Sequence, residues 1–259
     1  MSNFSFRLGT TSYIIPDDIL PNAHYLAGKV RDIELILFEV DDGPNNLPAP
    51  EVIRELSQIA KQYDMTYTVH LPLDLKLGEG GSERDQSLVE AKRVMDCTRQ
   101  LDPWAYVLHL DGRSVRTSTD ADVLARWQDR SVRALEIAAE WAGGMEKLAV
   151  ENLENYPLDF IDPVLERVAV SRCVDIGHLW LDGLDPLPYL QAALPRTRVV
   201  HMHGLAERDH RSLAFMPQEK VRAVWDELVR LDYKGVLTLE IFSEEDFLSS
   251  LDVIRKISQ

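Results

Sequence analysis

Six of the seven histidines in this 259-residue chain fall on or just past four short apolar runs: His70, His109, His178, His201, His203 and His210. Only His24 lies elsewhere, in a helix-like stretch. Carboxylates end the neighbouring runs: Glu39 in DIELILFE, Glu151 in KLAVENLE, Asp175 in SRCVDIGHL and Glu240 in GVLTLEIF. Imidazole is the commonest side-chain metal ligand and the natural proton carrier near neutral pH. Singly, each group has an ordinary reading as a core imidazole with a hydrogen-bonded neighbour, or a carboxylate paired to a lysine. Together they are costly to gather at one place unless something binds them. A divalent cation supplies that compensation, and mixed nitrogen and oxygen donors suit Zn, Mn, Fe or Co. The spacing adds to this. In His201-Met202-His203 both imidazoles face the same side of a strand. Asp175 and His178, three apart, act together only if the strand ends between them, with Gly177 allowing the turn.

The elements that must position these groups are legible as an alternation. Short β-rich runs occupy 7–14, 32–39, 66–72, 105–110, 147–154, 171–179, 198–204 and 235–242. Between them lie amphipathic stretches. The segment 48–64 places Val52, Leu56, Ile59, Ala60 and Tyr63 on one stripe. The segment 119–144 opens on the capping residues Thr119 and Asp120 and stops at a glycine pair; 217–235 opens on Pro217 and ends at Gly235. Eight such repeats predict a single α/β domain over 1–259, a closed (β/α)8 barrel, in which functional side chains gather at the C-terminal ends of the strands.

Composition narrows the function classes. The formal net charge is −15, from 43 acidic and 28 basic residues. No basic stripe of the kind that tracks a phosphate backbone occurs, which counts against a nucleic-acid substrate. Cys97 and Cys173 suggest no disulfide framework. No apolar stretch is long enough to span a bilayer and the N-terminus lacks a signal-peptide layout, so the expected location is the cytoplasm. The glycine-rich GEGG at 78–81 lacks the lysine of a phosphate-binding loop and reads as a flexible turn. Lys76, Arg113 and Arg116 follow strands 3 and 4 and read as solvated loop charge. The oligomeric state is left open.

In their order along the chain, the strand-end residues resemble those of the xylose-isomerase-like barrels that include the apurinic endonucleases of the endonuclease IV type. The resemblance implies one metal set of His70, His109 and Glu151. Glu151 would bridge to a second of Asp175, His201 and Glu240, with His178 and His210 in a third. The endonucleases use an Asp-x-His pair in the third set. Here ERDHR puts Asp209 directly before His210 and Arg208 at the matching position, so a third metal needs His203 or Asp209 as substitute. Sugar isomerases and epimerases of the same superfamily hold one metal through a set like Glu151, Asp175, His201 and Glu240, often with a substrate-facing His like His178. His70 with His109, and the extra His203 and His210, lean instead toward hydrolysis, where a neighbouring ion offsets developing negative charge.

A narrower resemblance lies in the opening RLGTTSYIIPDDILPNAHYLAGKVRDIELILFE, which is similar to the start of the cobamide-remodelling phosphodiesterases. It implies hydrolysis of the phosphoribosyl linkage in the nucleotide loop of vitamin B12-type cofactors, with two or three divalent ions. Glu151, Asp175 and Glu240 would then be catalytic, and Tyr13, Glu39, His203 and Arg208 would contact substrate. The expected partner is a small molecule, a cobamide or a sugar phosphate. The alternative is a sugar isomerase or epimerase with one Mn-type ion, and a third reading is a corrinoid- or sugar-binding barrel without catalysis.

Overall fold

The computed structural model describes residues 4–38 and 45–259. Eight parallel strands close on themselves in chain order: β1 (Arg7–Thr11), β2 (Asp32–Ile36), β3 (Thr66–His70), β4 (Tyr106–His109), β5 (Leu148–Glu151), β6 (Ser171–Asp175), β7 (Thr197–Met202) and β8 (Val236–Leu239). The closure runs from Arg7↔Val236 to Thr10↔Leu239. Around the barrel lie α1 (Ile19–Leu26), α2 (Pro50–Tyr63), α3 (Ser82–Thr98), α4 (Ala121–Ala142) and α5 (Asp162–Leu165). They continue with α6 (Ile176–Leu181), α7 (Pro186–Ala193), α8 (Gln218–Arg230) and α9 (Glu244–Ile257). The (β/α)8 barrel expected from the alternation is thus the architecture found. Among the described residues no helix is long and apolar enough to cross a membrane.

Strand parity sorts side chains into two compartments. On β4, Tyr106 and Leu108 join the apolar layer between sheet and helices, whereas Val107 faces the lumen. There it meets Ala105, Ala149, Cys173 and Val199, a plug of small side chains. An eight-stranded barrel has room for little more. Two residues further along the same face of each strand come His109, Glu151, Asp175 and His201. The plug is therefore the floor on which the polar cluster stands.

Local signals hold with adjustments. Asp120 caps α4 by accepting from the Asp122 and Val123 amides, and Gly143 ends it at φ 87°, a conformation open to glycine. On α2 the buried face is Ile53, Leu56 and Ile59, rotated from the expected stripe; Tyr63 is exposed. Pro217 sits just before α8 as its cap residue. The GEGG segment is more constrained than a flexible turn, since a Cβ on Gly78 would lie 2.2 Å from the Trp127 indole nitrogen. β2 ends at Ile36, and Glu39, expected at its end, lies outside the described residues.

Candidate metal centre

β6 stops at Asp175 and α6 begins at the next residue, so no separate turn is needed. The Asp175 carboxylate caps that helix, accepting from the His178 amide at 2.6 Å. Gly177 is inside α6 and is needed for space rather than for a turn, because a Cβ there would lie 2.2 Å from the His203 imidazole. That corrects the expectation of a glycine-mediated turn. Asn152, just past β5, fastens this strand end on both sides: its amide donates to the Asp175 carbonyl at 3.0 Å and its Oδ1 accepts from the Asp175 N–H at 2.9 Å.

Glu151 stands at the middle of the cluster, 1% exposed. Its Oε2 lies 3.3 Å from His70 Nε2 and 3.2 Å from His109 Nε2. Its Oε1 lies 3.5 Å from His201 Nδ1 and 3.5 Å from His178 Nδ1. His201 Nδ1 is also 3.3 Å from Glu240 Oε2 and 3.8 Å from Asp175 Oδ2. The potential ligand atoms form a set of His70, His109 and Glu151, and a set of Glu151, Asp175, His201 and Glu240. A further set is His178, His203 and His210; within each, the atoms lie within 4.8 Å of one another. Cys173, expected only as a buried thiol, approaches Glu151 and His201 from the floor. Its burial pushes the thiol well above its ordinary range.

The ring orientations suit ligation. His70 Nδ1 donates to the Leu71 carbonyl at 2.8 Å, leaving Nε2 to face Glu151. His178 Nδ1 likewise donates to the Asn152 carbonyl at 3.0 Å. His201 Nε2 donates to Glu34 Oε2 at 3.0 Å, leaving Nδ1 to face the carboxylates. Among the described residues, the buried atoms without a hydrogen-bond partner include four from the cluster: Asp175 Oδ2, His201 Nδ1, His203 Nε2 and Glu240 Oε2. Buried polar atoms are rarely left so. Three of the four belong to the set around Glu151 and the fourth, on His203, to the set with His178 and His210, and such imidazole and carboxylate donors fit divalent ions.

Electrostatics point the same way. Burial opposes charge on the imidazoles, yet Asp175 and Glu151 lift His178 to about 10, and Glu240 and Asp175 lift His210 to about 9. His70 and His201 also shift upward against their own burial. Burial alone would raise the carboxyls of Glu151 and Glu240, but His201, with His109 beside the first and His210 beside the second, holds both well below their usual range. Protons on the imidazoles here balance charge that cations can balance instead.

Between the two substitutes considered for the third set, the structure separates their parts. His203 joins His178 and His210, whereas Asp209 braces His210, Oδ1 to Nδ1 at 3.1 Å. His210 itself holds φ 53°, a sparsely populated conformation for a non-glycine residue. Arg208 is exposed on the loop after β7, and Tyr13 lines a separate cavity of about 380 Å³ with Asn46 and Leu47. Arg113 and Lys76 pair with Asp111 and Glu83 at 2.6 and 3.0 Å, which leaves them as paired surface charge.

Sequence reasoning missed Glu34, 0% exposed inside β2, and Asn152. The signal that could have found Glu34 was DIELI itself: Asp32 and Glu34 share one face of a run otherwise apolar enough to be buried.

The model of the xylose isomerase-like TIM barrel family matches residues 29–257. No curated protein matches the chain. Among solved structures, a D-tagatose 3-epimerase-like protein superposes with a TM-score of 0.79 at 17% identity, covering 97% of each chain. Endonuclease IV from Thermus thermophilus gives 0.73 at 18% identity, over 97% of this chain and 98% of that one. The 3-keto-D-glucoside 4-epimerase from E. coli gives 0.70 at 16%, again over 97% and 98%. At these identities the likeness is one of fold. With the closed eight-stranded barrel and a family match over most of its length, the chain belongs to the xylose isomerase-like TIM barrels.

Proposed function

We propose that the chain is a metal-dependent phosphodiesterase acting on a small molecule, and that its substrate is the nucleotide loop of a cobamide. The observation that carries the hydrolytic reading is the placement of Glu151, with Oε2 toward His70 and His109 and Oε1 toward His201. A carboxylate so placed can bridge two ligand sets. A one-metal reaction has no need of the pair His70 and His109. Divalent ions held by these sets would supply activated water and offset negative charge on phosphoryl oxygens. The chain's own residues orient that machinery. Glu34 fixes the His201 ring, Asn152 fixes Asp175 and His178, and Asp209 fixes His210. The cobamide assignment rests on the N-terminal similarity from Arg7 to Phe38, with Glu39 beyond it, and fits an acidic protein without a basic polymer-binding stripe.

A second reading is a sugar epimerase. It is favoured by the solved structures of similar fold, most of which are named as sugar epimerases, and these support it better than they support the hydrolase. In that reading Glu151 and Glu240, on either side of His201, pass a proton next to a carbonyl. Metal-loaded protein incubated with adenosylcobalamin and resolved by chromatography tests the first proposal, with release of a lower-base riboside as the expected result. Intact cofactor under Zn, Mn, Fe and Co alike would remove the cobamide assignment. Metal content separates the two chemistries. Loss of an ion in His109→Ala supports the hydrolase, and one ion per chain, unchanged in that variant, supports the epimerase.

A further inference from the structure

The end of the barrel opposite the metal centre carries a cavity of about 490 Å³, lined in part by Trp104, Arg196, Arg198, Asp232 and Lys234. Three cations around one cavity are unexpected in a chain of net charge −15. Arg198 is placed there by an irregularity in the sheet. Arg172 pairs with Thr197 and Cys173 with Val199, so Arg198 is the extra residue on β7 and has no partner across β6. Such bulges re-aim a side chain. The Arg198 guanidinium lies 4.1 Å from the Trp104 ring centre, and the indole N–H in return donates to the Arg198 carbonyl at 3.0 Å. This reciprocal clasp pins the guanidinium over the ring. Its Nε is used on the Trp104 carbonyl, and its two terminal nitrogens have no hydrogen-bond or ion-pair partner among the described residues.

Its neighbours are differently occupied. Arg196 spends its terminal nitrogens on the carbonyls of Leu165, Val168 and Val170 but keeps its charge. Lys234 pairs with Asp232 at 3.1 Å, and Asp232 also accepts from Ser5. With Lys234 and Asp232 offsetting one another, the charged residues that line the cavity leave a surplus of two, Arg196 and Arg198. Arg198 is half-buried, and that burial pushes its guanidinium below its ordinary range despite the opposing influence of Glu146, Tyr233 and Asp102.

We infer that this cavity binds a phosphorylated small molecule, whose phosphate sits on the free fork of Arg198 between Arg196 and Lys234. A planar guanidinium with both terminal nitrogens open recognises phosphate in two-point fashion. Two surplus charges match a dianion, and the volume is within the range of small-molecule sites. About 10 Å of strand separates Arg198 from His201, so the site is distinct from the metal centre. The proposal does not depend on which reaction that centre performs.

The test is titration of inorganic phosphate into full-length protein stripped of metal by EDTA, read by calorimetry and by the thermal midpoint, beside acetate at equal ionic strength. One saturable phosphate site is expected, with acetate much weaker. Arg198→Gln and Lys234→Glu are each expected to weaken phosphate by about tenfold or more. No saturable site in the parent protein overturns the proposal. So does unchanged affinity in Lys234→Glu, whose exposed side chain can be replaced even if Arg198→Gln does not fold. Acetate binding as tightly as phosphate overturns the phosphate assignment.

Discussion

Glu34 Oε2 lies 3.0 Å from His201 Nε2 inside the barrel, with both side chains at 0% exposure. The contact sets which imidazole nitrogen carries the proton and turns the other toward Asp175 and Glu240. A carboxylate behind a ligating histidine also makes that ligand more basic. Glu34→Gln keeps the shape and an acceptor but removes the charge. Its expected effect is a loss of about 10–100-fold in metal affinity at the set containing His201. Competition with a chromophoric chelator measures this, and affinity equal to the parent would show that Glu34 is only a packing residue.

Asp32, two residues before Glu34 on the same face of β2, has no role in the ligand sets and is costly to keep charged. Its burial lifts the carboxyl to about 7, against the lowering effect of hydrogen bonds from Thr66 and Thr68. A raised carboxyl disfavours the folded state once ionised, so stability is lost as pH rises from about 4 through 7. Asp32→Asn can still accept the Thr66 hydroxyl proton, which now comes to Asp32 Oδ2 at 2.6 Å. It is expected to stabilise the fold by up to about 4 kcal/mol above pH 7 and by little near pH 4. Denaturant melts at pH 5 and 8 check it; an equal effect at both would contradict the assignment.

Gly177 has no room for a side chain, because the His203 ring lies 2.2 Å from where a Cβ would stand. In Gly177→Ala either α6 or the imidazole must move, at a cost of about 1–3 kcal/mol. The expected outcome is a folded protein that loses the ion held by His178, His203 and His210 while the sets around Glu151 still fill. Metal analysis of the dialysed variant reads this directly, and full occupancy would show that the three histidines do not form a separate site.

Metal loading should release protons. In the metal-free cluster His178 titrates near 10 and His210 near 9, so both are charged at about pH 7.5. Ligation needs the neutral ring. Calorimetric metal titrations at about pH 7.5 in two buffers of different ionisation enthalpy should therefore differ, by about two protons if both rings bind. The same shifts give the pH dependence of the metal-free fold. Because these folded values exceed the ordinary 6.5, the stabilisation is full below about 6.5 and is lost as pH rises through about 9 and 10. A thermal midpoint that stayed flat across that window would count against the ion pairs with Asp175 and Glu240.

Much of the centre was legible from the chain alone. Alternating short apolar runs and amphipathic stretches, with His or a carboxylate at or near the ends of all runs but the first, located His70, His109, Glu151, Asp175, His201 and Glu240 and the barrel that gathers them. Periodicity suffices there, because parity along a strand says which side chains share a face and barrel closure brings all strand ends to one mouth. What the run could not tell is who meets whom across strands. Glu34 reads as one more polar residue in DIELI until register and strand tilt bring it under His201, which lies across the lumen on β7. Gly177 reads as a turn until α6 packs its bare backbone on His203. The bulge that frees Arg198 is visible only when β6 and β7 are paired. Side-chain period is a property of the local backbone, whereas register, tilt and the close approach of distant segments are set by packing of the whole barrel.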